Sequence, residues 1–212
     1  MSTKHFYLIR HGETEFNKTK KLQGRGINAP LNETGRNQAE YVAEALQDVA
    51  ISEIITSSLL RAKESAEPLS KLKSIAIESY SALDEMDFGE WEGQPFDDVI
   101  DQIKDIQSKW KAGDTHVQVP GGESPDEVFT RSGDFLKKLA KESQHNNIAV
   151  VIHGRLIRIL LAGLLGIGLK NMHQIKHQNG AINHLAWHEG VFRAIELHRV
   201  DHLPKSDLVW DK

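Results

Sequence analysis

A short apolar segment near the N-terminus ends directly in two side chains that suit phosphate chemistry. Residues 6–9 read FYLI, and Arg10 and His11 follow at once. A short apolar run of this kind predicts a buried β-strand. Ligands of open α/β sheets bind beyond the carboxyl ends of the strands, so we expect both side chains at such an edge. A guanidinium beside an imidazole suits the binding and attack of a phosphoryl group.

The rest of the chain alternates between strand patterns and helix patterns. Asn32 is a candidate helix N-cap, and Ser124, Pro125 and Glu127 form the pattern of a capping box with proline at the first helical position. The alternation predicts an α/β three-layer sandwich, with a mostly parallel sheet and helices on both faces. The predicted strands are 6–9, 53–56, 75–77, 148–152 and a hairpin of 181–187 with 191–197; the predicted helices are 32–47, 59–71, one that begins at 125, and 155–165.

The length and composition predict one domain over residues 1–212. With 39% hydrophobic and 26% charged residues, the chain can bury a core and is not expected to be disordered. Residues 94–122 are more polar and less regular than the rest. We expect them to form a small, cap-like insertion over the C-terminal ends of the strands.

The charge and the cysteine count exclude several classes of protein. A net charge of −4 gives no indication of nucleic acid or an anionic membrane as a partner, and zero cysteines exclude thiol catalysis and disulfides. The N-terminus does not resemble a secretory signal, and the apolar stretch 156–165 is too short to span a bilayer. We therefore expect a cytoplasmic protein. The oligomeric state stays open, a homodimer included.

Four predicted strand ends carry reactive side chains that would meet at one edge of the sheet. Arg10 and Arg61 offer planar forks of donors that match phosphate oxygens. His11, when neutral, can attack phosphorus, and a charged His153 would stabilise the equatorial oxygens. Glu85 would protonate the departing alkoxide and then accept a proton from water. This convergence predicts a phosphoryl-transfer site.

Four segments of the chain also form a set of motifs. They are RHGET at 10–14 with Asn17, SSLLRA at 57–62, LDEMDFGEWEG at 83–93, and VIHG at 151–154. In type and order they closely resemble the motifs of the histidine phosphatase superfamily, also called the phosphoglycerate mutase-like fold. The resemblance covers residues 6 to about 165.

The resemblance implies roles for individual residues. His11 would carry a phosphohistidine intermediate, and Glu85 would be the proton donor. The phosphate would be bound by Arg10, Asn17, Arg61, His153 and Gly154, and neither a metal nor another cofactor would be needed. The loop with Gln23 and Gly24 would line the pocket. Arg155 stands where the family has a smaller residue, and we expect it to contact a second anionic group on the substrate.

Three functions are compatible with these residues. We favour a metal-independent phosphatase that hydrolyses small phosphate monoesters, because the segment after the third motif is shorter than in the mutases. A phosphoglycerate mutase would use the same site, and a catalytically silent protein would only bind a phosphorylated ligand. The expected partner is a small phosphorylated metabolite, with α-ribazole phosphate, phosphorylated sugars or glycerate, and phosphoserine as candidates.

Histidine pairs at spacing i, i+4 raise the question of a metal site. None of them has a glutamate inside the pair, and at least one falls in a predicted strand, so we expect solvated surface histidines and no metal. The pairs are His173 with His177, His184 with His188, and His198 with His202.

Overall fold

The sheet of this protein brings the predicted strand ends to one edge. The structure, a computed structural model, describes residues 2–207. Its six strands lie in the order β3-β2-β4-β1-β5-β6; β1, β2, β3 and β4 pair in parallel, and β5 runs antiparallel to both of its neighbours. The strands are β1 Lys4–Arg10, β2 Glu53–Ser57, β3 Ile77–Tyr80, β4 Asn147–Ile152, β5 Ile182–His188 and β6 Val191–Arg199.

Helices cover both faces of this sheet, which confirms the predicted three-layer α/β sandwich. Two separate hydrophobic clusters fill the two interfaces, and α2 and α3 pack on one face while α5 and α6 pack on the other. The helices are α1 Glu15–Lys18, α2 Glu33–Ala45, α3 Leu60–Lys73, α4 Ile100–Ala112, α5 Pro125–Glu142 and α6 Gly154–Leu164.

Strand β1 is apolar along most of its length because both of its faces are buried. Phe6 and Leu8 belong to the cluster beneath α5 and α6, whereas Tyr7 and Ile9 belong to the cluster beneath α2 and α3. Central strands of parallel sheets are buried on both sides in this way and lose the polar alternation of a half-exposed strand.

Both predicted helix starts are confirmed. The Asn32 side chain accepts a hydrogen bond from the Gly35 N–H at the start of α2. At the start of α5, Ser124 and Glu127 form a reciprocal capping box, with Pro125 at the first helical position. These caps satisfy backbone donors that have no partner inside the helix.

The segment 94–122 is more regular than the sequence analysis predicted, because it contains helix α4. Ile103, Ile106 and Trp110 form the buried face of this helix. No side chain caps its N-terminus, and Gly113 ends it with a φ of 113°. The missing N-cap removed the usual start signal, although the apolar spacing of three and four residues was present.

Helix α6 is the most apolar helix, and its buried face extends around much of its circumference. It packs against α5 and against the sheet, which explains this composition. Among residues 2–207, no helix is both long enough and apolar enough to span a bilayer.

Candidate active site

The C-terminal ends of three adjacent strands form the candidate site. In the sheet β4 lies between β1 and β2, with Arg10 beside Ile152 and Thr56 beside Val151. The residues that follow these strands are therefore neighbours. The rings of His11 and His153 have centroids 5.1 Å apart and are inclined at 58°.

His11 is held in one tautomer by its own loop. Its Nδ1 lies 2.6 Å from the Gly12 carbonyl oxygen, which can only accept a hydrogen bond, so Nδ1 carries the hydrogen. Burial, together with the positive charges of Arg61 and Arg10, holds the pKa of His11 well below its usual range. The ring is therefore neutral, and Nε2 keeps a free electron pair, as a nucleophile requires.

His153 is fully buried, and the sequence-based expectation that it is charged was wrong. Burial and the nearby charge of Arg61 hold the pKa of His153 well below its usual range. Its Nε2 is 2.6 Å from Ser57 Oγ, and its Nδ1 has no hydrogen-bond partner within residues 2–207. The sequence did not reveal this neutral state, because the surrounding charges come from distant parts of the chain.

The two predicted arginines lie near enough to both rings for their positive charges to lower the pKa of His11 and of His153. Arg61 is buried and donates from Nη1 to the Ile27 carbonyl (2.8 Å) and from Nη2 to the Gly24 carbonyl (3.2 Å). Burial lowers the pKa of Arg61 to about 10, which leaves the guanidinium charged at neutral pH. Its Nε is buried with no acceptor among the described residues.

Arg10 packs against the backbone at the start of α6. It donates to the His177 carbonyl, and an added Cβ at Gly154 would lie 3.1 Å from Arg10 Nε and 2.8 Å from the His177 ring. Gly154 was predicted to bind phosphate. In the structure the absence of a side chain at Gly154 gives the Arg10 guanidinium the room it occupies.

Asn17 and Gln23 belong to the same side of the site. The Asn17 amide oxygen accepts from the Thr14 N–H, and Thr14 Oγ1 donates to the Gln23 amide oxygen over 2.8 Å. The buried Nε2 of Gln23 has no partner within the described chain. Asn179, which the sequence analysis missed, donates both to Asn17 Oδ1 and to the His11 carbonyl.

Gly24 allows the loop beside Gln23 to approach the third motif. A Cβ added at Gly24 would stand 2.8 Å from the Met86 carbonyl oxygen and 2.0 Å from Glu92 Oε1, so a side chain here would force the backbone to shift. Its carbonyl oxygen is the acceptor for Arg61. The predicted pocket loop is thus connected to the arginine that follows β2.

Glu85 is buried at the N-terminus of α6, where backbone N–H groups fix both of its oxygens. Oε1 accepts from the N–H of Met86 (2.8 Å) and of Leu156 (3.0 Å), and Oε2 accepts from the N–H of Arg155 (3.0 Å). A carboxylate has about four lone-pair positions. The three donors leave one position open, on Oε2.

Arg131 on α5 holds the loop that carries Glu85, and the sequence analysis missed it. All five of its N–H groups donate: two to the carboxylate of Glu123, and one each to the carbonyls of Ala82, Asp84 and Glu85, over 2.8–3.1 Å. Arg131 thus fixes the main chain of the loop on both sides of Asp84. No local sequence signal marks a helix residue for this role.

Arg155 lies between the site and helix α4. Its backbone contacts Glu85, and its guanidinium carbon lies 5.8 Å from the centre of the Trp110 ring on α4. Burial lowers the pKa of Arg155, an effect that the charge of Glu85 opposes.

The expectation that the histidines of the i, i+4 pairs are all solvated was wrong for His184 and His202. The His184 ring stacks on Tyr7 at 4.4 Å and contacts His5 Nδ1 at 2.9 Å, while His202 lies with its Nε2 3.0 Å from the Gly180 carbonyl. Within the described range, no three His, Asp or Glu residues form a group that could hold a metal ion.

Comparison with known proteins agrees with this geometry. Residues 6–199 match the family described as "Histidine phosphatase superfamily (branch 1)". The chain belongs to this superfamily. Apart from the first two residues of β1, the match covers the whole sheet, including the C-terminal hairpin that the motif resemblance did not reach.

Relatives within the histidine phosphatase superfamily carry the names of phosphatases and of mutases. A protein of Hydrogenobacter thermophilus named "Putative phosphoserine phosphatase 2" is 30% identical over 86% of this chain and 89% of its own length. A Salmonella choleraesuis protein named "Probable phosphoglycerate mutase GpmB" is 29% identical, over 89% of this chain and 87% of its own. The structure of a mycobacterial glucosyl-3-phosphoglycerate phosphatase with VO3 has a TM-score of 0.84 at 26% identity, covering 93% of this chain and 100% of that one.

Proposed function

We propose that this protein is a metal-independent phosphatase that hydrolyses small phosphate monoesters through a phosphohistidine on His11. The observation that carries the proposal is the state of His11. The Gly12 carbonyl fixes the hydrogen on Nδ1, and burial with two arginines keeps the ring neutral. A neutral imidazole nitrogen with a free electron pair can form a bond to phosphorus, and the product of that step is a phosphohistidine.

The phosphoryl group would lie among donors that have no other partner in the described chain. These are Arg61 Nε and Gln23 Nε2, and His153 Nδ1 joins them in the tautomer in which Ser57 Oγ donates to Nε2. Arg10 and Asn17 would add further contacts to the phosphoryl group. Buried donors without acceptors are rare in folded proteins and point to a ligand that accepts from them. A phosphate offers several acceptor oxygens, and the charges of Arg10 and Arg61 match its own.

In the first half-reaction, His11 Nε2 attacks phosphorus and the bond from phosphorus to the ester oxygen breaks. The leaving oxygen takes a proton from Glu85 Oε2, the position that backbone donors leave open. The phosphorylated ring keeps its Nδ1 hydrogen on the Gly12 carbonyl, which stabilises the positive charge that develops there.

In the second half-reaction, the ionised Glu85 accepts a proton from a water molecule. The water oxygen attacks phosphorus and the bond from phosphorus to Nε2 breaks. Inorganic phosphate leaves, His11 returns to its neutral state, and Glu85 is protonated again. The same carboxyl group thus serves as acid and then as base.

A mutase is the second candidate, and the relative named as a phosphoglycerate mutase favours it. A mutase would return the phosphoryl group to another hydroxyl of the substrate instead of to water. The silent binding protein is disfavoured, because ligand binding does not require a neutral nucleophile and a carboxyl group with one open lone pair.

The test is phosphate release from a panel of phosphorylated metabolites by the wild type and by His11→Asn. We expect release by the wild type in the presence of a chelator and no release by His11→Asn. Incubation with 3-phosphoglycerate separates the two candidates, because a phosphatase gives free phosphate and a mutase gives the 2-phosphate isomer. Loss of activity on chelation would contradict the metal-independent mechanism.

A further inference from the structure

The hydroxyl group of Ser57 is buried beside the second histidine of the site. Ser57 ends β2 and His153 follows β4, and these two strands are neighbours in the sheet. Ser57 is fully buried, and its Oγ lies 2.6 Å from His153 Nε2. Within residues 2–207, the other hydrogen bond of this Oγ is one that it accepts from the Leu59 N–H, over 3.2 Å.

These two contacts decide which atom donates between Ser57 and His153. A hydroxyl group has one hydrogen to donate and two lone pairs with which to accept. The Leu59 N–H occupies one lone pair, so His153 Nε2 is the one acceptor that the hydroxyl meets in the described chain. If Nε2 carried the hydrogen, the buried hydroxyl would have no acceptor at all, which is unfavourable. Ser57 therefore donates, and Nε2 accepts.

The bond at Nε2 fixes the state of the other nitrogen of the His153 ring. Burial and the nearby charge of Arg61 hold the pKa of His153 well below its usual range, so the ring is neutral and has a single N–H. Because Nε2 accepts, that hydrogen is on Nδ1. This Nδ1 is buried without a partner in residues 2–207, and the ring lies beside that of His11 at a centroid distance of 5.1 Å.

The opposite tautomer would present a lone pair where a phosphoryl group needs a donor. Phosphoryl oxygens are negatively charged acceptors, so an Nδ1–H attracts them and a bare Nδ1 repels them. A neutral ring has no positive charge that could offset the wrong tautomer. Donors that are in place before the reaction contribute strongly to catalysis. The position of one hydrogen on His153 therefore matters for activity.

We propose that Ser57 is a positioning residue, which holds His153 as the Nδ1–H tautomer so that a neutral ring donates to the phosphoryl group. Ser57 does for His153 what the Gly12 carbonyl does for His11, because each fixes one ring nitrogen and thereby assigns the other. His11 then presents a lone pair and His153 an N–H. The role at the phosphoryl group rests on the proposed function, whereas the tautomer is a property of the free protein.

The first test is the nitrogen NMR spectrum of the histidine rings in the ligand-free protein at neutral pH. Protonated and bare ring nitrogens have well-separated shifts, and the signals of His153 are those lost in His153→Asn. We expect a protonated Nδ1 and a bare Nε2 in the wild type. In Ser57→Ala, part of the population should carry the hydrogen on Nε2, whereas Ser57→Thr keeps the hydroxyl group and should keep the wild-type pattern.

The second test measures kcat/KM for an alkyl phosphate and for p-nitrophenyl phosphate. Ser57→Ala should lower both by about 10- to 100-fold, the range for a hydrogen bond to a charged group, because both esters share the phosphoryl group. Ser57→Thr should recover most of this loss. Ser132→Ala removes another fully buried hydroxyl, which donates to the Val128 carbonyl on α5, and is the matched control that should change neither spectrum nor rate.

Several results would overturn the role of Ser57. They are a wild-type spectrum with the hydrogen on Nε2 or on both nitrogens, a Ser57→Ala variant with the wild-type tautomer, and a changed tautomer without a loss of kcat/KM. The spectrum needs no turnover, so it separates this proposal from the proposed function. The expected spectra in a wild type that hydrolyses no phosphate ester would contradict the phosphatase and leave the control of the tautomer by Ser57 intact.

Discussion

Replacing Glu85 with glutamine tests the acid–base role with a change of one atom. The carboxylate accepts two backbone N–H groups at Oε1 and one at Oε2. The amide oxygen of glutamine can replace only one carboxylate oxygen. It should take the position of Oε1, because two N–H donors need an acceptor there and only one does at Oε2. The amide nitrogen then occupies the Oε2 place, opposite the Arg155 N–H, where two donors face each other.

The size of the expected losses in stability and in rate for Glu85→Gln follows from these contacts. One buried N–H loses its acceptor, which costs about 1–3 kcal/mol. At about 2–4 °C per kcal/mol for a chain of this size, Tm should fall by roughly 2–12 °C. Loss of a general acid typically slows a reaction by about 10²- to 10⁴-fold when the leaving oxygen needs a proton.

The assay measures kcat/KM for an alkyl phosphate and for p-nitrophenyl phosphate. Nitrophenolate leaves without a proton, so its rate should fall far less than that of the alkyl ester in Glu85→Gln. Glu142→Gln, at an exposed position near the end of α5, is the control for the loss of one negative charge and should change neither rate. Equal losses for the two esters would refute the assignment of Glu85 as the acid.

Three further perturbations have definite expected results. Arg131→Met frees the main chain at Glu85 and should lower kcat/KM by about tenfold more for an alkyl phosphate than for p-nitrophenyl phosphate; equal losses would make Arg131 merely structural. Ser124→Ala removes the cap of α5 and should cost about 1 kcal/mol in thermal or urea unfolding with kcat/KM unchanged, and an unaltered Tm would contradict the cap. The free energy of unfolding should decrease as the pH falls below about 6.5, because unfolded His11 and His153 bind protons that the folded protein excludes. Each histidine contributes up to about 1.4 kcal/mol per pH unit, so His153→Asn should have a smaller pH slope, and an identical slope would contradict its lowered pKa.

Local signals made most of the fold predictable. The apolar run of β1 and the caps at Asn32 and Ser124 are properties of a few consecutive residues, and each was confirmed within a few residues. Helix α4 was missed although Ile103, Ile106 and Trp110 have helical spacing. Its N-terminus has no capping side chain, so its start could not be recognised by the usual signal.

The site was predictable where side chains follow strands and less so where they act from a distance. The structure brings together Arg10, His11, Arg61 and His153 because β1, β4 and β2 are neighbours. The neutral state of His153 depends on burial by distant elements. Arg131 contacts Glu85 from 46 residues away, a separation over which sequence periodicity carries no information.

Asn179 is a second residue that no pattern in the sequence marks. It donates to the His11 carbonyl across 168 positions of the chain and also to Asn17. Its position follows from the antiparallel return of β5 beside β1, which brings the loop before β5 to the edge of the sheet where the candidate site lies. Only the assembled sheet makes that proximity visible.

Rapid quenching of the enzyme during turnover of a phosphate ester labelled in its phosphoryl group would detect the phosphohistidine itself. We expect a label on the peptide that contains His11, labile in acid and stable in base, and absent from His11→Asn. A label that is stable in acid, that lies on another residue or that persists in His11→Asn would contradict the phosphohistidine mechanism.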